Sequence, residues 1–310
     1  MNKDSKIYVA GHRGLVGSAI TRALKDQGYN NLISKTRKKL DLTDQRAVSS
    51  FFTKEKPEYV FLAAAIVGGI KANEDYPADF ILNNLTIQNN VISESHNNKV
   101  KKLLFLGSSC IYPRECPQPI KEEYLLSGPL EKTNDAYAIA KIAGIKMCQS
   151  FNKQYGTNYI SIMPTNLYGP NDNFDLETSH VFPALIRKFH DAKINNSDLT
   201  MWGTGKAKRE FMYVDDLADA CIFLMKTYDS SEIINIGTGK DLTIKELGEL
   251  IKKVEGFKGK IVHDTTKPDG TPQKLLDVRK LHSLGFRHKT ELREGIEKTY
   301  DWFLKNETRG

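Results

Sequence analysis

Short apolar runs alternate with amphipathic segments through the first half of this chain, the pattern of a parallel sheet whose strands are joined by helices. The runs predict strands at Ile7–Ala10, Asn31–Ser34, Tyr59–Ala63, Leu103–Gly107 and Tyr159–Met163. A helical segment from Ser18 to Gln27 follows the first of them. Each strand runs out into a loop that carries reactive or small residues, as expected where ligands bind beyond the carboxyl ends of an open α/β sheet. After Pro164 the pattern loosens into the turn-rich Tyr168-Gly169-Pro170-Asn171-Asp172-Asn173. Segments near Phe211–Val214 and Ile233–Gly237 are expected to return to the first domain. The expected fold class is α/β: a doubly wound parallel sheet over residues 1–165, with later returns near 211–240, and a second, smaller α/β lobe built mainly from 166–310. The chain shows no internal repeat, low-complexity tract or flexible linker.

The first strand leads into GHRGLVG, from Gly11 to Gly17, and the helical segment follows at once. Glycines at 11, 14 and 17 permit a tight turn, close approach of the backbone to a pyrophosphate, and close helix–strand packing. The helix N-terminus adds unpaired N–H groups and a positive dipole for phosphates. Strand before and helix after are the context this motif requires, so the sheet is expected to be of the Rossmann kind, with His12, Arg13, Leu15 and Val16 beside the glycines at a dinucleotide. An NAD site offers an acidic residue about twenty residues past the glycines for the ribose 2′-hydroxyl. Here the second strand runs into SKTRKKLDL, with Arg37 and no acid until Asp41. Arg13 can reach the same ribose, and two guanidiniums suit a 2′-phosphate. The expected cofactor is therefore NADP(H).

Ser108 in LFLGSSCIYP, and Tyr137 and Lys141 in DAYAIAK, make a second constellation. Residues four apart are neighbours on one helix face. A lysine ammonium beside a phenol stabilises the phenolate, and a serine hydroxyl can hold the oxygen that the tyrosine protonates. The trio moves a proton to and from a ketone or alcohol oxygen. Cys110, two residues from Ser108, either shares that cleft or packs as a small hydrophobe. His180, in ETSHVFPALIRKF, is either a helix-start cap or a ligand-facing group that titrates near neutrality.

Composition narrows the partners. The chain has 310 residues with 40% hydrophobic and 27% charged content, ordinary for a soluble globular protein. No apolar run approaches the ~20 residues that span a bilayer. The N-terminus enters a strand directly, so no secretory signal is visible and a cytoplasmic location is expected. Four cysteines, at 110, 116, 148 and 221, follow no zinc spacing and are expected as free thiols with no metal. The net charge of +7 suits an anionic partner, but the basic residues are scattered and nucleic acid is not expected. A nucleotide cofactor accounts for the charge equally well.

The longer words GHRGLVGSAI, AAAIVGGIKAN, KKLLFLGSSCIYP, YAIAKIAGIKMC, MPTNLYGPNDNF and KPDGTPQKLLD resemble the extended short-chain dehydrogenase/reductase superfamily, and within it the GDP-L-fucose synthase family. The resemblance runs from about Lys6 to about Phe303. It implies 3,5-epimerisation and then 4-keto reduction of GDP-4-keto-6-deoxy-D-mannose. It gives Cys110 and His180 the epimerase role, and Ser108, Tyr137 and Lys141 the reductase role. It places Asp41 and Leu42 on the adenine side of the cofactor, and Leu106, Gly107, Ser108, Ser109, Lys141, Pro164, Thr165, Asn166, Leu167 and His180 would face it as well. Lys188, Trp202, Arg209 and Asp269 would hold the GDP end, although relatives often carry arginine where Lys188 stands. The resemblance also implies a homodimer through helices at Asp79–Asn97 and Thr133–Tyr155. Two rivals share the scaffold: a nucleotide-sugar 4-epimerase or 4,6-dehydratase, and a non-catalytic NADP-sensing protein. Dehydratases of the superfamily show Thr-Asp-Glu where this chain has Ser108-Ser109-Cys110. Sensors tend to lose the tyrosine or the lysine.

Overall fold

A computed structural model describes residues 1–267 and 269–306. Pro268 and the last four positions of the expected second lobe, 307–310, lie outside the described residues. Strands β1 (Ile7–Ala10), β2 (Leu32–Ile33), β3 (Tyr59–Leu62), β4 (Lys102–Leu106) and β5 (Tyr159–Pro164) are followed by β6 (Asn166–Tyr168), β7 (Leu199–Trp202) and β8 (Lys208–Tyr213). The remainder are β9 (Ile234–Ile236), β10 (Asp241–Thr243), β11 (Ile261–Asp264) and β12 (Gln273–Lys274). The six-stranded sheet has the order β2-β1-β3-β4-β5-β9, with every pairing parallel. Its strands are near-continuous apolar runs, as burial on both faces requires. The chain turns from one side of β1 to the other between β2 and β3, so a switch-point crevice opens at the carboxyl ends of β1 and β3.

Helices cover both faces. Ile20 and Leu24 of the Leu15–Asp26 helix and Leu217, Cys221 and Leu224 of the Val214–Thr227 helix fill one side. Phe52, Val91, Ile92, Ile145 and Cys148 fill the other, from helices at Gln45–Glu55, Pro77–Asn97 and Asp135–Tyr155. The last of these begins later than the sequence suggests. Glu131 accepts from the Thr133 N–H and winds Lys132–Asn134 into a tighter turn before the α-helix starts at Asp135.

A third core, around Tyr168, Phe182, Ile186, Phe189, Leu247 and Ile296, belongs to the smaller part. There β8 lies between β10 and β12 and also pairs with β6, while β7 pairs with β11. Residues 211–214 lie where the two parts meet. β8 is a strand of the small sheet, but side chains alternate along it: Phe211 and Tyr213 enter the third core, and Met212 enters the large-sheet core with Val214. Residues 234–236 do join the large sheet, as β9.

Glu255, which ends the Ile244–Glu255 helix, is a buried carboxylate with neither oxygen bonded among the described residues. Lys193 donates instead to the Glu255 backbone carbonyl, at 2.6 Å. Burial pushes the carboxyl up to about 9. The folded state therefore keeps a proton that the unfolded state loses near 4.5, so stability falls as pH rises through that window. Glu255→Gln should stabilise the protein by on the order of 1 kcal/mol for each pH unit between about 5 and 9. Denaturant melts of both proteins at pH 5 and pH 8 check this: the gap should widen at pH 8, and a gap independent of pH contradicts it.

Candidate active site

One cavity of about 1260 Å³ opens beyond the carboxyl ends of β1, β3, β4 and β5 and runs to the small sheet. Every candidate site residue named from the sequence lines it. At one end, Gly11 has φ +86°, and a Cβ there would sit 2.8 Å from the Ala64 nitrogen. A Cβ on Gly17 would sit 2.2 Å from the Gly11 carbonyl oxygen. These two glycines are required by the turn and the helix packing. Gly14 differs: its φ is −78°, and the nearest atom to an added Cβ is 3.6 Å away. It caps the Leu15–Asp26 helix without a side-chain bond, leaving N–H groups and open room at the helix N-terminus. That cradle fits a diphosphate.

Arg37 lies 3.7 Å from Asp41, and both are solvent-accessible. Asp41 accepts from the Thr43 N–H and hydroxyl, which together with Arg37 hold its carboxyl below the ordinary value. Arg13, Lys35, Thr36 and Lys38 line the same end. Lys35, Thr36 and Lys38 were not singled out from the sequence, although the run SKTRKK carried the signal.

The middle of the cavity holds the candidate proton-transfer groups. β4 delivers Ser108, whose Oγ accepts from Cys110 N at 3.2 Å and also bonds the Tyr137 side chain. Lys141 is buried, donates to the Leu106 carbonyl at 2.8 Å, and places its ammonium 5.7 Å from the Tyr137 ring centre. The expected depression of the phenol by this lysine is not what the chain produces by itself. Burial, with Cys110 second, raises Tyr137, and burial pushes Lys141 down to about 7. Desolvation outweighs the attraction at this separation.

Cys110 is not core. It lines the cavity, with Asn134 Nδ2 at 3.4 Å and Lys274 Nζ at 3.7 Å from its sulfur. His180 occupies the N-cap of the Val181–Ile194 helix but makes no side-chain capping bond, so it is left facing the cavity. Protein enclosure, then the charge of Lys274, holds its imidazole below the ordinary value. Asp172 was not anticipated: it lines this region with Oδ2 unbonded among the described residues, and burial pushes it up to about 7.

At the far end Trp202 is more than half exposed, which removes a core role for it. Lys188 stands 4.8 Å from its ring centre, and Lys267 stands 5.6 Å away. Asp269 accepts from the Thr204 N–H and hydroxyl, both at 2.7 Å. Arg209 is largely enclosed and donates to the Lys208 carbonyl, with Asp269 and Glu131 among the charges acting on it. Pro164 ends β5; Thr165 and Asn166 both donate to the Glu210 carbonyl, at 3.2 and 2.8 Å. Leu106, Gly107, Ser109 and Leu167 complete the wall. Among the described residues no cluster of three His, Cys, Asp or Glu could hold a metal ion.

A nucleotide-binding α/β fold with a Ser/Tyr/Lys centre agrees with what known proteins show. Residues 7–237 match the model of the "NAD dependent epimerase/dehydratase family". GDP-L-fucose synthase 1 of Arabidopsis thaliana is 61% identical over 98% of this chain and 95% of its own length. A GDP-6-OMe-4-keto-L-xylo-heptose reductase from Campylobacter jejuni superposes with a TM-score of 0.94 at 45% identity, covering 98% of this chain and 99% of that one. A GDP-L-fucose synthetase from Naegleria fowleri bound to NADP gives 0.94 at 32% identity, covering 100% and 98%. The chain belongs to the NAD dependent epimerase/dehydratase family, in its GDP-L-fucose synthase group.

Proposed function

We propose that the chain converts GDP-4-keto-6-deoxy-D-mannose to GDP-L-fucose by 3,5-epimerisation followed by NADPH-dependent reduction of the 4-ketone. The observation that carries this reading is one cavity lined by the glycine cradle, Ser108/Tyr137/Lys141, Cys110, His180 and the Trp202/Arg209 end. Ser108 and Tyr137 hold the ketone oxygen, so the carbons flanking it become acidic and the resulting enolate charge rests between two hydroxyl donors. Cys110 and His180 serve as the acid and base that remove and return protons at those carbons. Bound NADPH supplies the hydride for C4. Tyr137 gives its proton to the developing alkoxide, and Lys141 supports Tyr137 and the nicotinamide ribose. Pro164, Thr165, Asn166 and Leu167 line the nicotinamide side. Lys188, Arg209, Trp202 and Asp269 bind the GDP moiety, the cations taking the diphosphate. The cofactor residues form one domain, 1–165 with later returns, and most of 166–310 forms the substrate lobe.

Arg13 and Arg37 select NADPH over NADH through the 2′-phosphate. Arg37→Ala should cost about 1.5–3 kcal/mol of NADPH binding and narrow the preference measured as kcat/KM. Equal use of both cofactors by the unaltered enzyme contradicts this assignment. Exposed Leu82, Ile139 and Tyr155 on the Pro77–Asn97 and Asp135–Tyr155 helices support a homodimer through those helices. Among the described residues no helix is long and apolar enough to cross a membrane, and we place the enzyme in the cytoplasm. Incubation with the keto sugar nucleotide and NADPH, with the product identified by NMR, tests the reading. A product other than GDP-L-fucose refutes it.

A further inference from the structure

Two nitrogen donors approach the sulfur of Cys110, and one of them is an ammonium that meets no carboxylate among the described residues. β12 carries Lys274 in register with Arg209 of β8, which brings Lys274 Nζ to 3.7 Å from Cys110 Sγ. The fully buried Glu210 carboxylate fixes that register: it accepts from the N–H groups of Leu276 on one side and of Thr238 and Gly239 on the other. Lys274 is therefore carried on a pinned strand and not on a free loop. Among the described residues Lys274 forms no ion pair with a carboxylate, and Cys110 Sγ is the partner its ammonium meets. Asn134 Nδ2 approaches the same sulfur, and the Arg209 guanidinium is close enough for Cys110 to act on its charge. A thiolate only accepts hydrogen bonds, whereas a thiol needs somewhere to donate. Donors that include a cation complement the thiolate, the form that reacts.

We propose that Lys274 is a positioning residue for the epimerisation half of the reaction: its ammonium pairs with the Cys110 thiolate and keeps that sulfur ready to take a proton from the sugar. In the step it supports, the thiolate takes H⁺ from the carbon beside the ketone and becomes S–H. The C–H electron pair moves into the enolate, whose charge lies on the oxygen held by Ser108 and Tyr137. Return of a proton to carbon restores the ketone, and no electrons are exchanged with any other reagent. The role in turnover rests on the reading of Cys110 as the base; the ion pair itself does not.

The two are separated by measuring Cys110 labelling and sugar deuteration side by side. Iodoacetamide is neutral, so its approach does not depend on the charge at Lys274. Labelling of the Cys110 peptide at pH 7, followed by mass spectrometry, should slow by about tenfold in Lys274→Met, since the cation 3.7 Å from the sulfur is lost. Lys274→Arg should restore most of the rate, which a simple packing role would not predict. Entry of deuterium at C3 and C5 in D₂O should fall and recover in parallel. Labelling of Lys274→Met within twofold of the unaltered protein overturns the ion pair. Slowed labelling with undiminished deuterium entry keeps the pair but overturns its role in epimerisation, and deuterium entry that also survives Cys110→Ser overturns the reading of Cys110.

Discussion

Tyr137→Phe is expected to lower 4-keto reduction by on the order of 10²–10⁴, because it removes the proton donor and leaves the shape of the ring. The fold should tolerate the change. The Tyr137 ring keeps its edge-on packing against Phe80, and Ser108 keeps its bond from Cys110 N. NADPH affinity should be little altered, since the glycine cradle, Arg13 and Arg37 are untouched. Stopped-flow NADPH oxidation together with a binding titration checks both halves. Lost cofactor affinity with normal turnover contradicts the assignment.

Cys110→Ser is expected to divide the two half-reactions. Serine keeps a small hydroxyl within reach of Asn134 and Lys274, but its proton is held too tightly to be exchanged near neutrality. Deuterium entry at C3 and C5 should fall by on the order of 10² or more. NADPH should still be consumed slowly, by reduction of the unepimerised ketone to a 6-deoxyhexose of the original configuration. His180→Asn should impair epimerisation as well. Undiminished deuterium entry in Cys110→Ser means that another group carries the proton.

Much of this site was legible because its chemistry is written in contiguous words. The glycine loop needs only the strand before it and the helix after it, and Tyr137 and Lys141 need only one helix face. What the fold places around the remaining residues bears on the alternatives they left open. His180 makes no capping bond, Trp202 is exposed, and Cys110 faces the cavity. Lys274 could not be connected to Cys110 in advance, since 164 positions separate them and only the pairing of β12 with β8 brings them together. Asp172 and the direction of the Tyr137 and Lys141 shifts depend on burial, which no local pattern encodes. The split of β8 between two cores arises from strand alternation at the junction of two sheets, where each face meets a different lobe.

One cavity is proposed to perform both epimerisation and reduction. Running the reaction in D₂O with GDP-4-keto-6-deoxy-D-mannose and NADPH, and reading the product by NMR and mass spectrometry, tests it most directly. The expected product is GDP-L-fucose carrying deuterium at C3 and C5 and hydrogen from NADPH at C4. A reduced sugar of unchanged C3 and C5 configuration, free of deuterium at both carbons, would contradict it.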